Sequence, residues 1–364
     1  MNPARVAALR LGMGEAMTAF TVQINCGSGM QSIDTAYRYI REGVSDLVLA
    51  GGAESLSHAP LIFSNRAVNW YAQLFAARSI GAKLAAFLAF RPSLFKPVIG
   101  LERGLTDPIT DLNMGQTAEL VGHLFHVSRR QADEYAAESQ QRLAAAQKNG
   151  IFADEIETAF ARDGAIFDHD DGVRPDSTAD DLAKLKPAFE RPWGKVTPGN
   201  SSQITDGASW VILASEDAVK EHKLKPKAVI VDSEWSALDP SVMGLGPVYC
   251  ATAILKRHQL ALGDVELWEL NEAFAAQVLG CLAAWDDAEF CRDALGLDGA
   301  AGQIPRDRLN VDGGAIGVGH PVGASGNRIV LHLVNAMKRL GYKRGIATEC
   351  IGGVQGGAML IEVI

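Results

Sequence analysis

Several features that would place the chain in a special class are missing from its sequence. No stretch of its 364 residues approaches the roughly 20 consecutive apolar residues that a membrane-spanning helix needs. Its beginning lacks an apolar core followed by a small-residue cleavage site, so we predict no secretory signal and a cytoplasmic protein. The five cysteines include no C-x-x-C pair, which argues against a metal site and a disulfide framework. A formal net charge of −9 disfavours binding to nucleic acid.

What is present indicates a globular α/β protein. Hydrophobic residues make up 48% of the chain and charged residues 21%, an ordinary mixture for a folded domain. Many of the 37 glycines end short apolar runs of the kind that form buried strands, and helical patterns lie between these runs. The length suggests two or three domains.

One pattern of helix, glycine and strand occurs twice. After Ser28-Gly29, apolar residues at helical spacing lead to Gly43 and to a strand-like run that ends at Gly51-Gly52. After Ser325-Gly326, a second helical pattern leads to Gly341 and to a strand that ends at Gly352-Gly353. We interpret the two copies as an ancient duplication of one α/β half, with a chance likeness as the alternative.

The segment 58–101 has an unusual charge. It contains five basic residues and no acidic one, together with seven aromatic side chains. A basic, aromatic and helix-prone segment is typical of a surface that contacts a membrane, or of a wall of an apolar cavity near a phosphate. An amphipathic helix pair packed on the core is the alternative interpretation.

Cys26 lies in the run Ile24-Asn-Cys-Gly-Ser-Gly29, at the entry of the first predicted helix. The positive end of a helix dipole stabilises a thiolate, so the position favours a reactive nucleophile. The glycines beside it allow a ligand to approach the backbone. A cysteine that only fills space in the core is the alternative.

Three further side chains lie at positions that are typical of functional sites, namely strand ends and a glycine-rich loop. Cys350 ends the strand of the second copy, and His320 lies in the glycine-rich run 313–326, which suits a loop that shapes a pocket. Asn271 follows a strand-like run, where it is either the N-cap of the next helix or a pocket amide. Two thiols, an imidazole and an amide are the groups that acyl transfer through a covalent thioester requires. We predict that Cys26 and these three side chains converge.

From Asn2 almost to the C-terminus the sequence resembles the thiolases. Supporting matches are found at 114–119, 185–189 and 199–207. The order and spacing of the main motifs make the likeness specific. The four main motifs are Asn25-Cys-Gly-Ser-Gly29, Asn271-Glu-Ala-Phe274, Gly313-Gly-Ala-Ile-Gly-Val-Gly-His-Pro-Val-Gly-Ala-Ser-Gly326 and Cys350-Ile-Gly-Gly353.

The resemblance implies thioester exchange with coenzyme A, which acts as a substrate, while no cofactor is bound permanently. In the family pattern Cys26 attacks the 3-keto carbon of a 3-ketoacyl-CoA and His320 takes the thiol proton. Cys350 protonates the enolate of acetyl-CoA that cleavage releases. A second coenzyme A then removes the shortened acyl group from Cys26.

The same resemblance assigns supporting roles. Asn271 holds a water that would stabilise the thioester oxygen together with the histidine. The backbone N–H groups of Cys26 and Gly352 would form a second oxyanion site, and each such donor is worth roughly 3 kcal/mol of barrier. Ser202 and Met114 match positions that line the coenzyme A or acyl channel.

The implied fold is α/β and thiolase-like, with two duplicated halves in five-layered α-β-α-β-α order and a mostly helical loop domain inserted in the first. We expect the first half at 1–55 and 204–224, an acyl-CoA-binding loop domain at 56–203, and the second half at 225–364. Thiolases usually have further strands before the position that matches Asn2. The first half is therefore expected to be incomplete, through a misplaced start codon, which we favour, or through natural truncation.

The branch of the family is less defined. Segment 58–101 and an insertion at 285–299 are similar to the β subunits of fatty-acid-oxidation trifunctional complexes, which use longer 3-ketoacyl-CoA chains and pair with an α subunit. Asn271 departs from that branch, where histidine is more frequent, so an acetoacetyl-CoA thiolase stays open. A homodimer or tetramer is implied by the family.

Two alternative interpretations lie outside this activity. A ketoacyl synthase shares the fold, but Cys350 and the motif at 271–274 argue against it. The other is a truncated, non-catalytic protein that binds acyl-CoA, lipid or a partner subunit.

Overall fold

Two β-sheets of unequal size enclose a central pair of helices in the computed structural model, which describes residues 2–161 and 163–364. The helices are α1 (Pro3–Arg10), α2 (Ser28–Arg41), α3 (Asn65–Ala76), α4 (Ile80–Leu88), α5 (Gly100–Gly104), α6 (Met114–Leu124), α7 (Arg129–Lys148), α8 (Ala179–Leu182), α9 (Glu216–Glu221), α10 (Gly246–His258), α11 (Ala275–Asp286), α12 (Ala288–Leu295), α13 (Ala315–Val318) and α14 (Val322–Leu340). In this part of the chain, no helix combines the length and the apolar character needed to cross a bilayer.

The strands form two main sheets and two short two-stranded sheets. The first main sheet pairs β1 with β6 antiparallel, and the second has the order β7-β10-β9-β8, in which only β8 and β9 run parallel. The short sheets are β2-β3 and β4-β5. The strands are β1 (Leu47–Ser55), β2 (Leu61–Ile62), β3 (Val98–Ile99), β4 (Ala159–Phe160), β5 (Ile166–Phe167), β6 (Asp206–Ala214), β7 (Ala228–Ala237), β8 (Leu267–Leu270), β9 (Arg344–Ile351) and β10 (Gln355–Val363).

The predicted repeat is visible in the fold. Helix α2 leads into β1, and α14 leads into β9, as the glycine-punctuated patterns indicate. Both helices lie between the two main sheets, where their apolar faces share one core with β1, β8, β9 and β10. Helices α10 and α11 pack on the opposite face of the larger sheet, around the buried indoles of Trp268 and Trp285. Helix, sheet and helix layers therefore alternate as the α/β thiolase-like prediction requires.

The two central helices touch at their N-terminal ends, and the glycines of the two Ser-Gly pairs permit this contact. A Cβ atom on Gly29 would lie 2.6 Å from the backbone nitrogen of Asn327. A Cβ atom on Gly326 would lie 2.7 Å from the backbone nitrogen of Met30. Only glycine allows such an approach, so these residues bring the turn before α2 next to the loop before α14.

The first half of the fold is the smaller. Its sheet holds two strands within the described residues, compared with four in the second half. The outer face of that sheet leaves Leu49, Trp210 and Ile212 between 50% and 65% exposed. This face of the smaller sheet therefore presents large apolar side chains to solvent.

Between β1 and β6 the chain is mostly helical, as the predicted loop domain requires. Two of its helices, α6 and α7, begin with capping boxes at Asn113 and Ser128. The insertion 285–299 forms the end of α11 and all of α12. The division into three domains at the boundaries given above stays a prediction.

Strand β8 is buried on both of its faces. All four of its residues are buried, including the carboxylate of Glu269. The strand lies parallel to β9 with helices on both faces of the sheet, so neither side reaches water.

Candidate active site

Cys26 lies in a single turn of 3₁₀ helix, Asn25–Gly27, directly before α2. Its side chain is 8% exposed. The backbone N–H groups of Gly352 and of Cys26 itself lie near the sulfur atom and act to lower the pKa of the thiol. The turn is held in place because the side-chain amide of Asn25 donates to the carbonyl oxygen of Gly352. The nucleophile predicted from sequence is thus in contact with the loop that follows β9.

Cys350 lies near the end of β9 and is fully buried. It packs in a small cluster with Met243, Ala273 and the partly buried Met114. The sulfur of Met114 also lies against Gly352, 3.4 Å from where a Cβ atom would be. Met114 is therefore within the site, as the motif match suggests.

His320 is held by a hydroxyl group that sequence reasoning did not identify. Its Nδ1 lies 2.6 Å from the Oγ of Ser325, and that hydroxyl donates to the carbonyl oxygen of Pro321 at 3.2 Å. The serine oxygen therefore accepts the Nδ1–H of the ring, and this fixes the tautomer. Nε2, which has no hydrogen-bond partner among the described residues, keeps its lone pair for a proton.

Asn271 is a pocket amide and not an N-cap. The helix that follows it, α11, begins at Ala275 after Phe274, so Asn271 lies outside the helix end. Its Nδ2 lies 3.4 Å from Nδ1 of His320, and its backbone N–H donates to Thr348. In the part of the chain that the structure describes, the amide oxygen Oδ1 has no partner. A buried, unpaired oxygen beside the histidine suits contact with a water or a substrate.

Ser202 lies near the same loop. Its backbone N–H donates to the carbonyl oxygen of Ala273 at 3.0 Å, and Ser201 forms a β-bridge with Phe274. The structure thus places Ser202 one loop away from Asn271. Its match to the coenzyme A or acyl channel stays a prediction.

The thiol of Cys26 is protonated in the resting protein. Burial raises its pKa to about 11, although the nearby backbone N–H of Gly352 acts in the opposite direction. The loss of water around the sulfur atom thus outweighs the stabilising groups near the helix end. Burial likewise raises the pKa of Cys350 well above its ordinary value.

The histidine is neutral at the same time. Burial lowers the pKa of His320 to about 4, and the positive charge of Arg328 adds to this effect. A neutral imidazole with a free Nε2 is a competent base. The resting site therefore holds two neutral thiols and a neutral base, so the thiol must lose its proton as it reacts.

Two acidic residues near the site were also not found from sequence. Glu272 accepts hydrogen bonds from Tyr135, Ser139, Asn310 and the backbone of Ile316, and so ties the loop before His320 to α7. It occupies the second position of the motif at 271–274, which was the available signal.

Glu349 precedes Cys350 and is fully buried. Neither of its carboxyl oxygens has a hydrogen-bond partner within residues 2–161 and 163–364. Burial raises the pKa of this carboxyl well above its ordinary value, which keeps it neutral. Glu349 lies close enough to both thiols that a charge on its carboxyl group would raise the pKa of Cys26 and of Cys350.

The structure brings together the groups that the sequence predicts to converge. Cys26 contacts the loop after β9, Cys350 packs against Ala273, and Asn271 lies beside His320. A thiol, a base with a defined tautomer and two N–H donors form the set used in acyl transfer through a cysteine thioester. The fold and the site thus define the class as cysteine-dependent acyltransferases.

Comparisons with known families give the narrower assignment. The family model of the thiolase N-terminal domain matches residues 1–217, and that of the thiolase C-terminal domain matches residues 224–363. The chain belongs to the thiolase family.

Some similar proteins are named acetyl-CoA acyltransferase or 3-ketoacyl-CoA thiolase, and others acetyl-CoA acetyltransferase. A probable acetyl-CoA acyltransferase of Staphylococcus epidermidis is 38% identical over 99% of this chain and 83% of its own length. The mitochondrial 3-ketoacyl-CoA thiolase of Homo sapiens is 38% identical over 99% of this chain and 82% of its own length. An acetyl-CoA acetyltransferase of Chromobacterium violaceum is also 38% identical, over 99% and 84%.

Solved structures agree with these matches. The human mitochondrial 3-ketoacyl-CoA thiolase in complex with CoA superposes with a TM-score of 0.83 at 37% identity, covering 99% of this chain and 82% of that one. The acetyl-CoA acetyltransferase of Bacillus anthracis gives a TM-score of 0.84 at 35% identity, covering 100% and 83%.

Proposed function

We propose that the protein catalyses the thiolytic cleavage of 3-ketoacyl-CoA by coenzyme A, through an acyl thioester on Cys26. The products are acetyl-CoA and an acyl-CoA that is two carbons shorter, and the reverse reaction is a Claisen condensation. One observation carries the proposal: the free Nε2 of His320 and the free Oδ1 of Asn271 are buried in the same place as two thiols. Unpaired polar atoms in a dry site need a ligand to satisfy them.

The first half-reaction begins with the neutral thiol of Cys26 and the neutral imidazole of His320. Nε2 of His320 takes the proton of Cys26 while the sulfur attacks the 3-keto carbon of the substrate. Because the thiol has a pKa of about 11 and the ring one of about 4, proton transfer accompanies attack and does not precede it. The N–H groups of Cys26 and Gly352 stabilise the oxyanion that forms on the former keto oxygen.

Carbon–carbon cleavage then leaves an acyl group on Cys26 and the enolate of acetyl-CoA. Cys350 gives its proton to the enolate carbon, which acetyl-CoA keeps as it departs. The thiolate of Cys350 next takes the proton of an incoming coenzyme A. The coenzyme A thiolate then attacks the carbonyl carbon of the acyl group, the bond from this carbon to Sγ of Cys26 breaks, and the imidazolium of His320 returns its proton to the released Cys26 thiolate.

The negative charge of the enolate lies on the thioester oxygen of the substrate. Asn271, directly or through a water, and the imidazolium of His320 would stabilise this oxygen. A buried thiol such as Cys350 suits the acid role because its high pKa keeps the proton available until the carbanion forms.

We assign the reaction to fatty-acid β-oxidation, with medium or long acyl chains as substrates. The name of the human relative, 3-ketoacyl-CoA thiolase, supports this choice. The alternative is an acetoacetyl-CoA thiolase, which the name of the Chromobacterium violaceum relative supports. Rates with acetoacetyl-CoA and with longer 3-ketoacyl-CoA substrates separate the two, since activity on acetoacetyl-CoA alone would contradict the assignment.

We also propose a cellular location, an oligomeric state and partners for the protein. Its family supports a homodimer or tetramer, and the bacterial relatives support a cytoplasmic location. A partnership with an α subunit of a β-oxidation complex rests on the resemblance of segment 58–101. Membrane contact through that segment is a separate proposal, because it does not depend on the chemistry.

A thiolysis assay on the full chain tests the activity. Cleavage of a 3-ketoacyl-CoA should require coenzyme A, and Cys26→Ala should reduce the rate by at least roughly 10³-fold. Cys291→Ala is a matched control, since this buried thiol bonds to carbonyl oxygens of α11 and should leave the rate unchanged. Absence of thiolysis together with tight acyl-CoA binding would favour the non-catalytic alternative.

A further inference from the structure

The turn 352–354, which joins β9 to β10, contains a residue in an unfavourable backbone conformation. Val354 has a φ of +75°, in the left-handed region that branched side chains almost never adopt. Gly353 before it has a φ of +87°, which glycine adopts freely. A strained valine keeps such a conformation only where its surroundings hold it, and strain of this kind is concentrated at functional sites. Contacts from outside the turn must therefore hold it.

The same turn carries one of the two N–H groups of the oxyanion site. The peptide group between Ile351 and Gly352 supplies the Gly352 N–H that lies near the sulfur of Cys26. The carbonyl oxygen of this peptide group accepts the N–H of Val354 at 3.1 Å. Because a peptide group is planar and rotates as one unit, the direction of the Gly352 N–H depends on the backbone of Val354.

Asn25 is the side chain that holds the turn from outside. Its amide N–H donates to the carbonyl oxygen of Gly352, and its Nδ2 lies 3.3 Å from where a Cβ atom on Gly353 would be. The side-chain amide of Gln23 donates to Oδ1 of Asn25 at 3.0 Å, which directs the amide nitrogen of Asn25 toward the turn. This amide thus joins the segment of the nucleophile to the turn of the oxyanion donor.

The backbone of Asn25 gives its amide a fixed base. Asn25 has a φ of +49°, a conformation that asparagine adopts more readily than most residues. Its carbonyl oxygen accepts the hydroxyl of Ser28 at 2.8 Å, and the Oγ of Ser28 accepts the N–H of Ile24 at 2.9 Å. These bonds attach Asn25 to the first turn of α2, so the start of this helix determines where the amide points.

We propose that Asn25 is a positioning residue, whose amide holds the turn 352–354 in the conformation that keeps the Gly352 N–H at the oxyanion formed when Cys26 attacks. Asn25 acts through Gly352. The inference rests on the proposed function, because the oxyanion site belongs to that reaction. It also accounts for the strained valine at position 354, since the amide stabilises a turn that the valine disfavours.

Steady-state thiolysis by Asn25→Gly tests the proposal on the full chain. Glycine accepts the left-handed backbone of position 25 and removes the amide. We expect kcat to fall roughly tenfold and KM to change much less, because a displaced oxyanion donor weakens binding of the transition state and not of the substrate. Gln259→Gly is the matched control, since this exposed residue after α10 also has a positive φ, of +55°, and its replacement should leave kcat unchanged.

A double-mutant cycle with Val354→Gly separates positioning from a general structural role. Glycine at position 354 adopts a positive φ without strain, so the turn then depends less on the amide of Asn25. The fall in kcat that Asn25→Gly causes should therefore be at least roughly threefold smaller in the Val354→Gly background. Equal falls in both backgrounds would overturn the proposal, and so would wild-type kcat in Asn25→Gly.

Alkylation of Cys26 by iodoacetamide, followed by mass spectrometry of its peptide, gives a measurement that does not require thiolysis. The Gly352 N–H lowers the pKa of this thiol, so its displacement in Asn25→Gly should slow alkylation at mildly alkaline pH. Faster alkylation would show that Asn25 only shields the sulfur, and would overturn the proposal. If the wild type performs no thiolysis while Asn25→Gly still slows alkylation, the proposed function fails but the placement of the Gly352 N–H by Asn25 stands.

Discussion

Nδ1 of His320 and Oγ of Ser325 lie 2.6 Å apart, and the serine hydroxyl is itself directed at the carbonyl oxygen of Pro321. This pair defines which ring nitrogen is the base. Ser325→Ala should therefore lower kcat for thiolysis by roughly 10- to 100-fold, the effect of losing one hydrogen bond to a group that becomes charged. The measurement is steady-state thiolysis, with KM reported separately.

A merely structural role for Ser325 predicts a different pattern. Loss of folding would lower the active fraction and leave kcat per active site unchanged, which active-site titration separates from a loss of catalysis. Ser325→Thr keeps the hydroxyl and should recover part of the rate. Wild-type kcat in Ser325→Ala would show that the tautomer does not depend on this contact.

The pH dependence of thiolysis follows from the buried histidine. Because burial lowers the pKa of His320 from 6.5 to about 4, the ring is neutral, and able to act as a base, down to about pH 4. The acid limb of kcat/KM should therefore lie near pH 4, and not near 6.5. A limb near 6.5 that disappears in His320→Asn would show that the ring is hydrated in the free protein.

Folding stability should follow the same group with a definite sign. A histidine whose pKa is lowered by folding binds fewer protons in the folded state, so its unfavourable contribution grows as pH falls from 6.5 toward 4. Urea denaturation across this range should show wild type losing more stability than His320→Asn. An identical loss in both proteins would contradict the assigned shift.

Glu349 is expected to act as a neutral group at working pH. Burial raises its pKa well above the ordinary value, so Glu349→Gln, which has the same shape and no charge, should keep most of the wild-type rate near pH 7. At alkaline pH a charged Glu349 would raise the pKa of Cys26 further, so the variant should remain active at higher pH than wild type. A loss of more than roughly tenfold at pH 7 would mean that the reaction needs the carboxylate.

The glycine contact between the central helices is open to a direct test. A methyl group at Gly326 would lie 2.2 Å from Oε1 of Glu349 and 2.7 Å from the backbone nitrogen of Met30. Gly326→Ala should therefore destabilise the protein by about 1–3 kcal/mol in urea denaturation and also lower thiolysis, because the turns that carry Cys26 and His320 move apart. Gly263→Ala is the control, as no atom lies within 4 Å of its added Cβ. Equal stability of the two variants would contradict the close contact.

The sequence was informative where local pattern and three-dimensional position agree. Helical spacing after each Ser-Gly pair, followed by glycine and a strand, predicted α2-β1 and α14-β9 within a few residues. The strand-like run before Asn271 contains Glu269, a residue type that is usually exposed, yet Glu269 is buried between helices on both sides of the sheet. Burial of that kind depends on neighbours that are distant in the chain.

The candidate site shows the same difference between what a local sequence pattern reveals and what depends on residues distant in the chain. Motif spacing predicted that Cys26, His320, Cys350 and Asn271 converge, because each lies at the end of a strand-like run or in a glycine-rich run; their catalytic roles stay predictions. Ser325 and its contact with the imidazole were not foreseen, since serine in a glycine-rich run has many uses. The effect of burial on the pKa of Cys26 was not foreseen, because a helix end is visible in a sequence, whereas the removal of water around a sulfur atom is not.

The central claim, that Cys26 carries the acyl group, is tested most directly by trapping the intermediate. The protein is incubated with a 3-ketoacyl-CoA in the absence of free coenzyme A, quenched in acid, digested and analysed by mass spectrometry. We predict one acyl group on the peptide that contains Cys26, none on the peptide that contains Cys350, and loss of the adduct when coenzyme A is added before quenching. An acyl group on another residue, or rapid thiolysis by Cys26→Ala, would contradict the account.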